Sequence, residues 1–255
     1  MKTALITGAA RGIGLAITRR FLDEGWSVLM LDRASDNLIE AHTTLGSNRA
    51  HLIHADVSDA GDVARAVGET EAITGRLDAL VNNAGVAEFK PLLDTTLEDW
   101  STIMATNLTG PFLMTNATAP LLARDGGGAV VNIGSISGLR ASTLRAAYGT
   151  SKAALAHLTK QQAVELASHD IRVNLIAPGP VETDMAKKVH SDAIRADYHD
   201  TIPLARYGDE DEIAAAVTFL CDGRAGFITG QTLAVDGGFD AAGIGLTTLR
   251  DAPHA

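Results

Sequence analysis

One cysteine, Cys221, stands in 255 residues. A single thiol excludes an intramolecular disulfide and a cysteine-built metal cluster, and it fits a reducing compartment. Aromatic residues make up only 4%. That excludes an aromatic-rich binding surface and favours close-packed helices and tight turns, for which Ala and Gly are abundant. Basic side chains are outnumbered: 21 Lys and Arg against 31 Asp and Glu leave a formal charge of −10. They gather only as Arg19–Arg20 and Lys187–Lys188, so no basic face for nucleic-acid phosphates is expected. The eight His form no H-E-x-x-H and no close ligand cluster, so the expectation is no protein-bound catalytic metal. No apolar stretch approaches the roughly 18 residues of a spanning helix. The apolar run "ALI" near the N-terminus is too short for a signal-peptide core. These absences predict a cytoplasmic protein with neither membrane nor nucleic-acid partners.

What is present is an alternation. Short apolar, β-prone runs occur at Thr3–Thr7, Ser27–Leu31, Ala50–Ala55, Ala79–Val81, Ala129–Ile133, Ile171–Ala177 and Thr232–Val235. Helical patterns separate nearly all of them, most clearly Gly12–Glu24, Leu97–Ala123, Ala147–Ala167 and Glu210–Leu220. Strands apolar on both faces, alternating with helices, specify a parallel sheet covered on both sides. The expected fold class is therefore α/β: one doubly wound, Rossmann-type domain over residues 1–255, with a seven-stranded parallel sheet. The polar stretch 182–207 has weak helical character and reads as a substrate lid. Residues 240–255 form a tail whose apolar "IGLTTL" is expected to reach a neighbouring subunit's pocket.

The first strand runs into "TGAARGIG", with Gly8, Gly12 and Gly14. Such a strand–turn–helix junction lets backbone approach a pyrophosphate at the helix N-terminus, where free N–H groups and the dipole favour an anion. Asp32 ends the second strand, 18 residues after Gly14. A carboxylate there accepts hydrogen bonds from the adenosine ribose and repels a 2′-phosphate, which favours NAD. Arg11 and Arg33 are the cations that could neutralise such a phosphate, so NADP stands as the alternative.

A second short stretch raises its own question. "RAAYGTSK" places Tyr148 and Lys152 one helical turn apart on one face. A phenol titrates near ~10, and an acid–base group works best nearer the ambient pH. A neighbouring cation, joined by the positive ring of an oxidised nicotinamide, favours phenolate and lowers that value. Tyr148 thus reads as acid and base for an alcohol or ketone, and Lys152 as its electrostatic tuner and a ligand of the nicotinamide ribose. Ser135, after the fifth strand, can hold the substrate oxygen and stabilise its developing charge. Asn107 interrupts an apolar helix and marks a bend or a held water. Asn174 reads as a strand-end backbone partner, and Cys221 as core.

Over residues 3–239 these segments resemble the short-chain dehydrogenases/reductases. "TGAARGIG", including Ile13, is similar to that family's cofactor turn, and Asp56–Val57 to its adenine-contacting pair. "NNAG", with Asn83, Ala84 and Gly85, resembles its cofactor-lining strand end. Asn107 in "NLTG" matches its catalytic asparagine, which the resemblance assigns to a water relay toward Lys152. Ser135 lies 13 residues before Tyr148, the family's spacing, and "YGTSK" matches its Tyr-x-x-x-Lys. "PGPVET" resembles its nicotinamide loop, with Pro178, Gly179, Val181 and Thr183 lining the cofactor and Thr183 reaching the carboxamide. "VDGG" resembles its closing strand. The resemblance also implies a homotetramer.

The expected activity is interconversion of a secondary alcohol, polyol or sugar-like, with its ketone, using NAD. The polar residues Glu88, Arg140, Arg145, His190 and His199 are placed around the mouth for that substrate. The alternative is an NADPH-dependent 3-oxoacyl thioester reductase. An acidic carrier partner wants a basic docking face, whereas this chain is acidic, and Gly126 and His169 stand where that branch's docking arginines are expected. A non-catalytic nucleotide sensor on the same fold is the third reading, opposed by the complete set of Asn107, Ser135, Tyr148 and Lys152.

Overall fold

The computed structural model describes residues 1–124 and 126–243. Its centre is a seven-stranded sheet, and every strand pairing in it is parallel. The strands are β1 (Thr3–Thr7), β2 (Ser27–Asp32), β3 (Ala50–His54), β4 (Ala79–Asn82), β5 (Gly128–Ile133), β6 (Ile171–Pro178) and β7 (Thr232–Val235), in spatial order β3-β2-β1-β4-β5-β6-β7. All seven expected strands are present, with ends shifted by at most one residue.

Alternation of side chains builds two apolar layers. Ala4, Ile6, Val28, Met30 and Val131 point to one face of the sheet. There they meet helices α1 (Gly12–Asp23), α2 (Ser35–Leu45) and α9 (Glu210–Cys221) through Ile17, Phe21, Leu38, Ile213 and Val217. Leu5, Leu29, Leu80, Val130 and Val173 point to the other. Helices α3 (Ala60–Thr74), α5 (Gly110–Arg124) and α6 (Ala146–Leu166) cover it through Val63, Met114, Leu121 and Ala163. Burying each such side chain stabilises the fold by about 1.5–3 kcal/mol. Cys221 and Asn174 take the places expected of them: the thiol is buried in the first layer, and Asn174 bonds Ile228 O and Gln231 N beside β6.

The chain winds outward from β1 to β3, then returns to lay β4 against the other side of β1. That reversal leaves a crevice outside the carboxyl ends of β1 and β4, where open α/β sheets bind ligands.

One expectation needs correction, and the weak helical character of 182–207 takes definite form. The apolar stretch 97–123 is not one helix. It is α4 (Leu97–Met104), a π-turn (Ala105–Thr109) and then α5. Asn107 lies in the π-turn, so the bend expected from its amide takes the form of one wide turn. Segment 182–207 is more ordered than its composition suggests. It forms α7 (Asp184–Val189) and α8 (Asp192–Thr201), started by Thr183 and Ser191 as N-caps. Polar residues that tie down helix starts carry no apolar periodicity, which is why the pattern was hard to read. The tail segment "IGLTTL" lies outside the described residues.

Candidate active site

The glycine turn explains its own sequence. Gly8 and Gly12 sit at φ +66° and +58°, a left-handed region that costs other residues about 1–2 kcal/mol. A Cβ on Gly14 would lie 2.1 Å from Gly8 O and 2.5 Å from Asn83 Nδ2. The turn is therefore closed against its own backbone. Asn83 locks it from the neighbouring strand, donating to Thr7 O at 2.9 Å and Gly8 O at 3.0 Å. Thr7 Oγ1 in turn accepts from the N–H groups of Asn83 and Ala84.

These groups line a cleft of about 900 Å³ that also takes in Arg11, Ile13 and Gly85. Its far wall carries Asp32, Arg33, Asp56 and Val57. Its near wall carries Ser135, Tyr148, Lys152, Pro178, Gly179, Val181 and Thr183. One crevice thus gathers every expected site residue except Asn107, which is fully buried behind it.

The residues present fit a dinucleotide. Helix α1 begins without a side-chain cap and without acid in its first turn, whereas α3, α4 and α9 are capped by Asp59, Thr96 and Asp209. Its first N–H groups are left for an anion. The Asp32 carboxylate is fixed by two backbone donors, Ala10 N at 3.2 Å and Ala34 N at 3.0 Å. Arg33 is drawn instead to Asp56 at 3.3 Å. Ser58 and Arg33 together hold the Asp56 carboxyl below its ordinary value, against the opposing effect of partial burial.

At the opposite end, Ser135 and Tyr148 meet through their hydroxyls. Lys152 is 5% exposed and donates to Ile133 O at 2.8 Å. Its ammonium lies 5.8 Å from the centre of the Tyr148 ring. Burial lowers Lys152 to about 8. Burial also pushes the Tyr148 phenol up, opposed by the Ser135 bond and the charge of Arg145. The lowering expected of the phenol counts on Lys152 together with the positive ring of an oxidised nicotinamide. Within the protein itself desolvation wins, because the same dry environment that raises the phenol weakens the cation.

Asn107 does not touch Lys152 directly. Its amide donates to Val86 O and Ser151 Oγ and accepts from Val86 N. A Cβ on Gly85 would come within 3.4 Å of Asn107 Oδ1 and 3.6 Å of Lys152 Nζ, so glycine leaves open the space between the two groups. Ser151 in turn donates to Tyr148 O at 2.7 Å, which links Asn107 to the backbone of the Tyr148 helix.

Of the polar residues placed at the mouth, Arg145 and His190 line the cleft. The other three point elsewhere: Arg140 donates to Phe239 O at 2.7 Å, Glu88 pairs with Lys90, and His199 packs on Tyr207. Sequence reasoning missed Phe89 and Tyr198, which also line the cleft. It also missed Tyr207, whose hydroxyl bonds His190 Nδ1 at 3.0 Å and whose phenol burial pushes up to about 12. A signal existed: only three Tyr occur, and two of them fall in 182–207. Gly138 was also missed, although a Cβ there would lie 2.6 Å from the Lys152 carbonyl carbon.

Among the described residues, no group of three or more His, Cys, Asp or Glu is placed to hold a metal, and no helix is long and apolar enough to cross a membrane.

This geometry has close relatives. A family model described as enoyl-(acyl carrier protein) reductase matches residues 8–240. A 3-oxoacyl-[acyl-carrier-protein] reductase of Synechocystis sp. is 38% identical over 93% of this chain and 96% of its own. A galactitol 2-dehydrogenase (L-tagatose-forming) of Cereibacter sphaeroides is 38% identical over 92% of this chain and 94% of its own. Among solved structures, a short-chain type dehydrogenase/reductase from Mycobacterium ulcerans superposes with a TM-score of 0.91 at 33% identity, covering 94% of this chain and 90% of that one. The chain belongs to the short-chain dehydrogenase/reductase family and is an oxidoreductase of that NAD(P)-using family.

Proposed function

We propose that the protein is an NAD(H)-dependent dehydrogenase that interconverts a secondary alcohol, polyol or sugar-like, and its ketone. The observation that carries this reading is the layout of one cleft, with an acid at the end of β2 and the Ser135–Tyr148–Lys152 group at the far side. When bound, the nicotinamide supplies the hydride acceptor or donor and, oxidised, a positive charge beside the phenol. The glycine turn and the start of α1 hold the pyrophosphate, and Asp32 holds the adenosine ribose. Asp56 and Val57 flank the adenine, while Pro178, Gly179, Val181 and Thr183 border the nicotinamide.

The chain's own residues perform the proton chemistry. Ser135 Oγ donates to the substrate oxygen and holds it against Tyr148. In alcohol oxidation the Tyr148 oxygen takes the hydroxyl proton, and in ketone reduction it returns one. Lys152 keeps the phenolate form accessible through its charge. Asn107 holds the water that connects Lys152 to solvent. The helices of 182–207 close over the substrate, and the outer faces of α4, α5 and α6 pair subunits into a homotetramer.

The alternative is an NADPH-dependent 3-oxoacyl thioester reductase, the activity printed for the Synechocystis relative. Asp32 and the acidic surface disfavour it, and the galactitol dehydrogenase shows that a similar chain carries a polyol name. Calorimetric titration separates the two. NAD is expected to bind at least about tenfold more tightly than NADP, and Asp32→Ala to erase most of that difference. Equal or tighter NADP binding by the wild type would transfer the assignment to the reductase.

A further inference from the structure

In a chain of net charge −10, the substrate end of the cleft is positive. The acids that line the cleft are Asp32, Glu40 and Asp56, all on the β2–β3 side. Around Tyr148 the charged or ionisable lining residues are Arg145, Lys152, His190 and Tyr198, with no carboxylate among the described lining side chains.

Arg145 is the cation without an employment of its own. It is half-buried at the start of α6, three residues before Tyr148. No carboxylate among the described residues pairs with it. Its two hydrogen bonds are long, 3.3 Å to Ser137 Oγ and 3.5 Å to Tyr198 OH, beyond the ordinary range for N–H···O. Nearby guanidiniums are differently placed: Arg195 grips Glu182 at 2.6 and 3.1 Å, and Arg206 grips Glu212 at 2.7 and 2.8 Å. Acids are therefore at hand in this region, and the fold has put none beside Arg145.

The guanidinium is nevertheless held in place. It lies 4.8 Å over the ring of Phe89, a cation–π contact that steadies it. A planar fork with unused donors matches a carboxylate edge to edge. Its nearness to the reacting group is independently visible, since its charge acts on both Tyr148 and His190.

We propose that Arg145, held by Phe89 and flanked by Ser137 and Tyr198, binds a carboxylate of the substrate, so that the secondary alcohol oxidised here is a hydroxy acid. The inference rests on the hydride-transfer reading above and departs from its polyol or sugar-like substrate in requiring a carboxylate on the alcohol. A carboxylate fits better than a phosphate ester because the subsite offers one permanent charge. Lys152 is already committed to Ile133 O, and burial together with the charges of Arg145 and Arg195 keeps His190 below its ordinary value against the opposing charge of Glu182.

The test compares short hydroxy acids with their primary amides, and with neutral polyols and phosphorylated alcohols, under NAD. Wild type is expected to favour acid over amide by roughly 30- to 100-fold in kcat/KM, the range of a hydrogen-bonded ion pair. That ratio collapses in Arg145→Met and is partly kept in Arg145→Lys, with NAD affinity reporting that both variants fold. Equal use of acid and amide, an acid preference that survives Arg145→Met, or preferred use of a polyol or a phosphate ester overturns the proposal while leaving hydride transfer intact. If no alcohol is oxidised at all, the dehydrogenase reading fails, and binding alone decides the subsite. Butyrate must then bind the NAD-loaded protein more tightly than butyramide and lose that advantage in Arg145→Met. Indifference between the two would overturn it.

Discussion

The two ends of the cleft are built from different material. The proposed phosphate end is backbone: Gly8 and Gly14 without room for a methyl group, uncapped N–H groups, and an Asn83 amide that bonds main-chain oxygens. The substrate end is side chain: Ser135, Tyr148, Arg145, His190 and Tyr198, brought from three separate stretches of chain. The difference teaches where variation is tolerated. Backbone geometry serves a ligand part common to every dinucleotide, and one added atom disrupts it. Side-chain geometry can be re-aimed residue by residue without disturbing the sheet beneath.

Substitutions at each end test that contrast. The largest effect is expected from Gly14→Ala. Its methyl group would lie 2.1 Å from Gly8 O, so the variant should lose about 4 kcal/mol or more of stability and bind no NAD, read by denaturant melts and calorimetry. Gly12→Ala makes the comparison internal to the turn. Its Cβ meets nothing nearer than Glu210 Oε1 at 3.7 Å, so only the φ strain of about 1–2 kcal/mol should appear. Equal losses for the two would mean that conformation, not close approach, governs the turn.

At the other end, Tyr148→Phe removes one oxygen. It should lower kcat by about 10²–10⁴ while leaving the melting temperature and NAD affinity close to wild type. A matching drop in NAD affinity would show that the two ends are not separable.

The smallest effect concerns pH. Alcohol oxidation needs the phenolate, so kcat/KM should rise with pH through the phenol's apparent pKa. The Ser135 bond and the Arg145 charge both pull that value down. Arg145→Met and Ser135→Ala should therefore each move the inflection toward alkaline pH, measured on a neutral alcohol. An inflection that stays put, or moves to lower pH, would remove Arg145 from the electrostatics of the phenol.

The same contrast explains what could be read in advance. The strands, the glycine turn and the Tyr-x-x-x-Lys pair were legible because each depends on neighbours in sequence. Asp32 was legible because a strand end is a local feature. The Arg145–Tyr198 contact joins residues 53 positions apart, and no spacing rule announces it. Arg140 and Arg145 look alike in the chain, yet one reaches a backbone carbonyl near the last strand and the other faces the cleft. The upward push of burial on Tyr148 was not legible for a related reason: charge is visible in a sequence, whereas dryness appears only once the chain is packed.

The π-turn at Asn107 carries a consequence of its own. A regular helix advances about 100° per residue, and a π-turn accommodates one residue beyond that rhythm. Deleting a residue between 105 and 109 would give back an unbroken rod with α4 and α5 still in phase, and would remove the wide turn that carries Asn107. Asn107 could then no longer hold both Val86 and Ser151. The local chain would be more regular, and the enzyme would have lost its hinge pin: here the extra residue is the part that aligns the others.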